Sequence, residues 1–82
     1  MGNTSVNITT LDGRVTEVPE KIADIFRFFS FTHLPAHLQM VSGDFHFLAC
    51  KTIERAPHSR QTYHALYSLL QAKDAAVRAV LG

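Results

Sequence analysis

Eighty-two residues with a formal charge of +1, 46% hydrophobic content and one cysteine describe a single small domain. A core built from one copy of so short a chain is marginal, and Cys50 alone cannot form an intrachain disulfide, which leaves association of identical copies as the way to cover apolar surface. The near-neutral charge excludes the broad basic footprint of a DNA or RNA duplex binder, but not a compact anion held by a few placed cations.

A lone thiol fits a reducing cytoplasm, the polar and uncharged N-terminus lacks the pattern of a signal peptide, and no apolar run is long enough to span a membrane. A soluble cytoplasmic protein is therefore expected. Met1 to Thr4 read as a disordered start. Val6, Ile8 and Thr10 then alternate with polar neighbours at the strand period, Asp12-Gly13 is a hairpin turn signal, and Val15, Thr16 and Val18 supply a second strand. Such a ribbon is unstable alone and must lie against another element.

Pro19 ends the strand and suits the first turn of a helix, with Glu20 placed favourably for the helix dipole. Ile22, Ile25, Phe26 and Phe29 give a short helix over Pro19 to Phe29 one apolar side, while Phe28 and Phe31 fall off that side and predict a second, exposed apolar surface. A connector from Ser30 to Leu34 leads to Pro35, which opens a helix running to Arg55 with a seam of Leu38, Val41, Phe45, Leu48, Thr52 and Ile53. Gly43, within Ser42-Gly43-Asp44, interrupts the pattern and predicts a kink or a close approach by a backbone or ligand. Ala56-Pro57-His58 is a turn short enough to force an antiparallel return.

The last helix, Ser59 to Leu81, has Ser59 as N-cap and no Gly or Pro, with large apolar side chains at Tyr63, Leu66, Leu70, Val77 and Leu81. The predicted fold is mostly α, a small α+β chain. Residues 1–30 form a β-ribbon and short helix, and residues 31–82 a long antiparallel helical hairpin, together one compact unit assembled as a homo-oligomer.

Candidate chemistry is sparse. His33 and His37 are four apart, as are His46 and Cys50, yet Pro35 places His33 outside the helix and a metal site calls for denser ligand motifs, so no metal or other cofactor is expected. Cys50 lies mid-helix without an evident base, and Asp44 and Glu54 are isolated, so no enzyme is expected either. Lys73 is different, because it breaks the apolar seam between Leu70 and Val77, with Asp74 and Arg78 on the flank. In one reading Asp74 pairs with Arg78 at i,i+4 and Lys73 snorkels to water. In the other, Arg78 is a planar fork for phosphate and Lys73 a point charge inside a pocket between copies.

Two stretches carry a family resemblance. His33-Leu34-Pro35-Ala36-His37-Leu38-Gln39-Met40-Val41-Ser42, with Phe45 and Leu48-Ala49 after it, and Thr62, Leu66 and Leu69-Leu70-Gln71-Ala72-Lys73-Asp74-Ala75-Ala76-Val77-Arg78-Ala79 resemble a helical-hairpin domain. It is the domain shared by two phage immune-evasion proteins, the anti-CBASS cyclic-oligonucleotide sponge and the Thoeris anti-defence sponge. The resemblance spans about Phe31 to Leu81. It implies a symmetric homohexamer in the host cytoplasm that binds immune second messengers between protomers without cleaving them. The partners implied are cyclic di- and trinucleotides or, for the Thoeris type, cyclic ADP-ribose derivatives. It also implies a ligand site drawn from Phe31, His33, His46, Lys73, Asp74 and Arg78. Arg78 would contact phosphate with Lys73 and Asp74 positioning it, Phe31 would stack on a base, and His46 would hydrogen-bond the ligand. The N-terminal ribbon matches neither sponge, although its β content leans toward the Thoeris type. A helical hairpin that serves only as a structural or adaptor element is the contrasting expectation.

Overall fold

A computed structural model describes residues 4–10 and 13–82, and its first elements are the two antiparallel strands that the alternation predicts. Strand β1 (Ser5–Thr9) pairs with β2 (Val15–Pro19), setting Val6 opposite Val18 and Ile8 opposite Thr16. Gly13 takes the left-handed φ of 75° that the turn requires, and its N–H donates to the Thr10 carbonyl. Asp12 and the first three residues of the expected disordered start lie outside the described residues. The ribbon does not stand free, since Val18 is fully buried in the core and Ile8 packs against it.

Pro19 is the last residue of β2 and also the N-cap of α1 (Glu20–Phe26), one position before the helical turn expected for it. The expected single helix to Phe29 tightens into a 3₁₀ turn at Arg27–Phe29. Three residues per turn bring Phe29 into line with Phe26 and bury it completely, and the chain then leaves the helix at Ser30. Ile22, Ile25 and Phe26 are buried as the spacing predicts, and Phe28 is 59% exposed.

Helix α2 (Ala36–Arg55) runs unbroken through Gly43. The close approach inferred for that glycine exists, but the neighbour is a side chain: a Cβ at Gly43 would lie 3.4 Å from the Phe31 ring. Phe31 is accordingly half-buried, not a member of an exposed surface with Phe28. The seam of α2 is also rotated from its expected position. Leu38, Ser42, Ala49, Cys50 and Ile53 are buried, whereas Leu48 is half exposed. The reason is that α2 is covered on two sides, by α3 and by the segment following α1, so its buried arc is centred between them. Small side chains at Ser42 and Ala49 fit the tightest part of that arc.

Helix α3 (Arg60–Leu81) begins at Ser59, as predicted, with a capping box: the Ser59 hydroxyl accepts from the Thr62 N–H and the Thr62 hydroxyl from the Ser59 N–H. The Thr62 side chain also donates to the Pro57 carbonyl, fixing the return turn. Thr62 and Leu66 are buried and Leu69, Leu70, Lys73, Ala76 and Val77 half-buried, while Tyr63 and Leu81, expected on the seam, are exposed. One apolar cluster joins Val18, Ile22, Ile25, Phe26 and Phe29 to Ala49, Cys50, Ile53 and Leu66, so the ribbon, α1 and both long helices share a core. Beyond it the helical hairpin projects. The radius of gyration is 13.0 Å, against about 11.7 Å for a rounded chain of this length, and the long dimension is 45 Å. Among the described residues no helix is long and apolar enough to cross a membrane.

A methyl group at position 43 meets the Phe31 ring at ordinary van der Waals distance and removes the entropic cost of a mid-helix glycine. Gly43→Ala should therefore raise stability by about 1 kcal/mol. Chemical denaturation checks this, and a loss of stability would mean that the ring tolerates no contact there.

Candidate functional site

Thr62, Leu66, Leu69 and Lys73 follow one another by steps of four and three along α3, so Lys73 sits on the buried stripe. An ammonium group held there needs an anion. Its side chain is only 15% exposed, and Nζ lies 3.1 Å from Oδ1 of the neighbouring Asp74, whose side chain is half exposed. This replaces the i,i+4 pair between Asp74 and Arg78. The Arg78 guanidinium stands exposed with no hydrogen bond or ion pair among the described residues.

His46 is placed by packing. Its ring lies between those of Phe26 and Phe31, each centroid 5.2 Å away, and Nε2 is 3.6 Å from Sγ of the buried Cys50. Nδ1 of His46 and Oγ of Ser42, one helical turn apart, are buried and meet no partner at hydrogen-bonding geometry. Burial pushes the His46 pKa below the ordinary histidine value, an effect partly offset by the Phe29 backbone. Among the described residues no three metal-ligating side chains gather here or elsewhere. His33 is exposed in the connector. That connector is held to α2 by Gln39, whose Nε2 donates to the carbonyls of Leu34 at 2.7 Å and Thr32 at 3.4 Å.

The six predicted site residues thus form two pairs and two singletons. Phe31 meets His46 and Lys73 meets Asp74, but no ring contact, hydrogen bond or ion pair joins the pairs to each other, to His33 or to Arg78. In one copy of the chain direct contacts do not join them into a single cluster.

A concavity lies elsewhere on the molecule. A groove of about 630 Å³ runs between α1 and α3, walled by Lys21, Asp24 and Phe28 on one side and Arg60, Tyr63 and Tyr67 on the other. Sequence reasoning missed it by assigning Tyr63 to the seam. The available signal was the Arg60, Tyr63, Tyr67 series at i, i+3, i+7, a flank of α3 carrying a cation and two aromatic rings. Compared with known proteins, the chain matches no family model, no curated protein and no solved structure.

The depressed pKa of His46 has a consequence for stability. A base whose folded pKa lies below its unfolded value near 6.5 favours folding fully above that value, and the contribution is lost as pH falls from there toward the folded pKa. The melting temperature should therefore drop on acidification below about 6.5, and the drop should be smaller in His46→Gln. Equal acid slopes for the two proteins would remove His46 as its origin.

Proposed function

We propose that this chain binds and sequesters a cyclic oligonucleotide immune signal, a cyclic di- or trinucleotide of the anti-CBASS type, without cleaving it. The observation that carries this reading is the unengaged guanidinium of Arg78. The alternative structural role for that residue was an ion pair with Asp74, and Asp74 is instead held by Lys73. An exposed planar fork suits the phosphodiesters of such a ring, since a bidentate, charge-assisted contact to phosphate is stronger than a neutral hydrogen bond. Phe31 is half-buried, an aromatic side chain of the kind that stacks on a base, and Lys73 with Asp74 sets the local field.

Enclosure of the ligand requires more than one copy. Met40, Leu48, Val80 and Leu81 are exposed apolar side chains on the two long helices, and they give identical hairpins a surface on which to associate. A symmetric homo-oligomer, a hexamer by the resemblance, is then the form in which the ligand is held between copies. The β1–β2 ribbon favours a second reading, a Thoeris-type sponge for cyclic ADP-ribose signals, which the same cation and ring would serve. The exposed row of Met40, Phe47 and Leu48 on α2 is the feature that fits a structural or adaptor role with no small ligand.

Calorimetry against a panel of cyclic di- and trinucleotides and cyclic ADP-ribose derivatives separates these readings. Binding of one class, with the ligand recovered intact after heat denaturation, is the expected result; no binding of any at micromolar concentration would falsify the proposal. Arg78→Ala should weaken that binding by about tenfold or more while leaving the oligomer unchanged by size exclusion. An unaltered affinity would place the phosphate contact on another residue.

A further inference from the structure

We infer that the groove between α1 and α3 is a separate binding site for a nucleoside phosphate. Its volume of about 630 Å³ is in the ordinary range for a small-molecule site. Three aromatic rings open into it from two helices: Phe28, 59% exposed, Tyr63, 38%, and Tyr67, 46%. Tyr63 and Tyr67 are one turn apart on α3, so they present successive rings along one wall, with Phe28 on the other. Neither tyrosine hydroxyl has a hydrogen-bond partner among the described residues. Rings so placed offer a base two apolar faces and hydroxyls at its edge.

The charges determine what else the occupant carries. Lys21 and Arg60, one on each wall, make no ion pair among the described residues. Asp24, the carboxylate in the lining, is already taken by Arg27, whose Nη2 lies 2.8 Å from Oδ1 and whose Nε also donates to the Asp24 backbone carbonyl. The remaining polar ring, His58, is held by Nε2 donating to the Ile53 carbonyl at 3.0 Å, which leaves Nδ1 without a partner among the described residues. A flat ring bearing an anion complements this lining. A neutral ring leaves two cations without a partner, and a bare anion leaves the aromatic walls wet. The small net charge of +1 and the single groove-sized span favour a free nucleotide over a nucleic-acid strand.

The chain contains no tryptophan, and Tyr63 and Tyr67 are its two tyrosines, so tyrosine emission and tyrosine ring resonances report on the groove itself. The full chain is titrated with AMP and GMP, with adenosine and inorganic phosphate as the separate halves, and with a short oligoadenylate. The expected result is saturable quenching, corrected for ligand absorbance, and shifts of both tyrosine rings by a nucleotide, with each half binding about tenfold more weakly or worse. Arg60→Ala and Lys21→Ala, both at exposed positions outside the core, should each weaken the nucleotide about tenfold, and Arg78→Ala should leave it unchanged. Tyrosine signals unmoved by millimolar AMP and GMP, or full affinity in both cation variants, would overturn the inference. Tighter binding of the oligoadenylate than of AMP would overturn it in favour of a strand. The result stands apart from the sponge reading: a cyclic messenger held through Arg78 with both tyrosines silent sinks the groove alone, and a tyrosine response without messenger binding sinks the sponge alone.

Discussion

The constraint on which the structure depends is that neither the helical hairpin nor the N-terminal unit can complete a core alone. Phe29 and Leu66 are both fully buried, yet one comes from the short N-terminal segment and the other from the first third of the longest helix. A two-stranded ribbon and a seven-residue helix have too little apolar surface to fold in isolation, and two amphipathic helices alone leave one side wet. Docking one on the other resolves both deficits. It also determines which arc of α2 is buried, why small residues stand at Ser42 and Ala49, and why Phe31 has room to lie over Gly43.

Burial then governs the electrostatics. Lys73 is carried onto the inner stripe of α3 by helical geometry and takes the adjacent carboxylate, because an ammonium group leaving water needs an anion at short range. That choice releases Arg78. On α1 the same logic runs at the surface, where Asp24 is occupied by Arg27 and the cations of the neighbouring groove, Lys21 and Arg60, are left without acidic partners. A chain of near-zero net charge thus carries two places where positive charge is locally uncompensated, one toward the C-terminal end of α3 and one at its start.

The residues behind the family resemblance divide along the same line. In the His33 to Gln39 stretch, Pro35 caps α2, Leu38 enters its buried face and Gln39 clamps the connector, so much of that pattern is accounted for by how a helix begins. Leu69, Leu70 and Lys73 lie on the stripe of α3 that faces the protein interior. Arg78, like His33, His37 and Met40, is exposed and left unexplained by packing and pairing.

What the sequence determined by itself was local: the two strands and the glycine turn, the helix starts at Pro19, Pro35 and Ser59, the long α3, and the apolar side of α1. Each depends on spacing, capping or backbone restriction within a few residues, and those act wherever the segment is placed. Tertiary structure decided the rest. The face of α2 required knowledge of two neighbours, and the exposure of Tyr63 required knowing that a groove lies between α1 and that flank of α3. The partner of Asp74 turned on the burial of Lys73, since a carboxylate with a cation on either side in sequence pairs with the one that is less exposed to water.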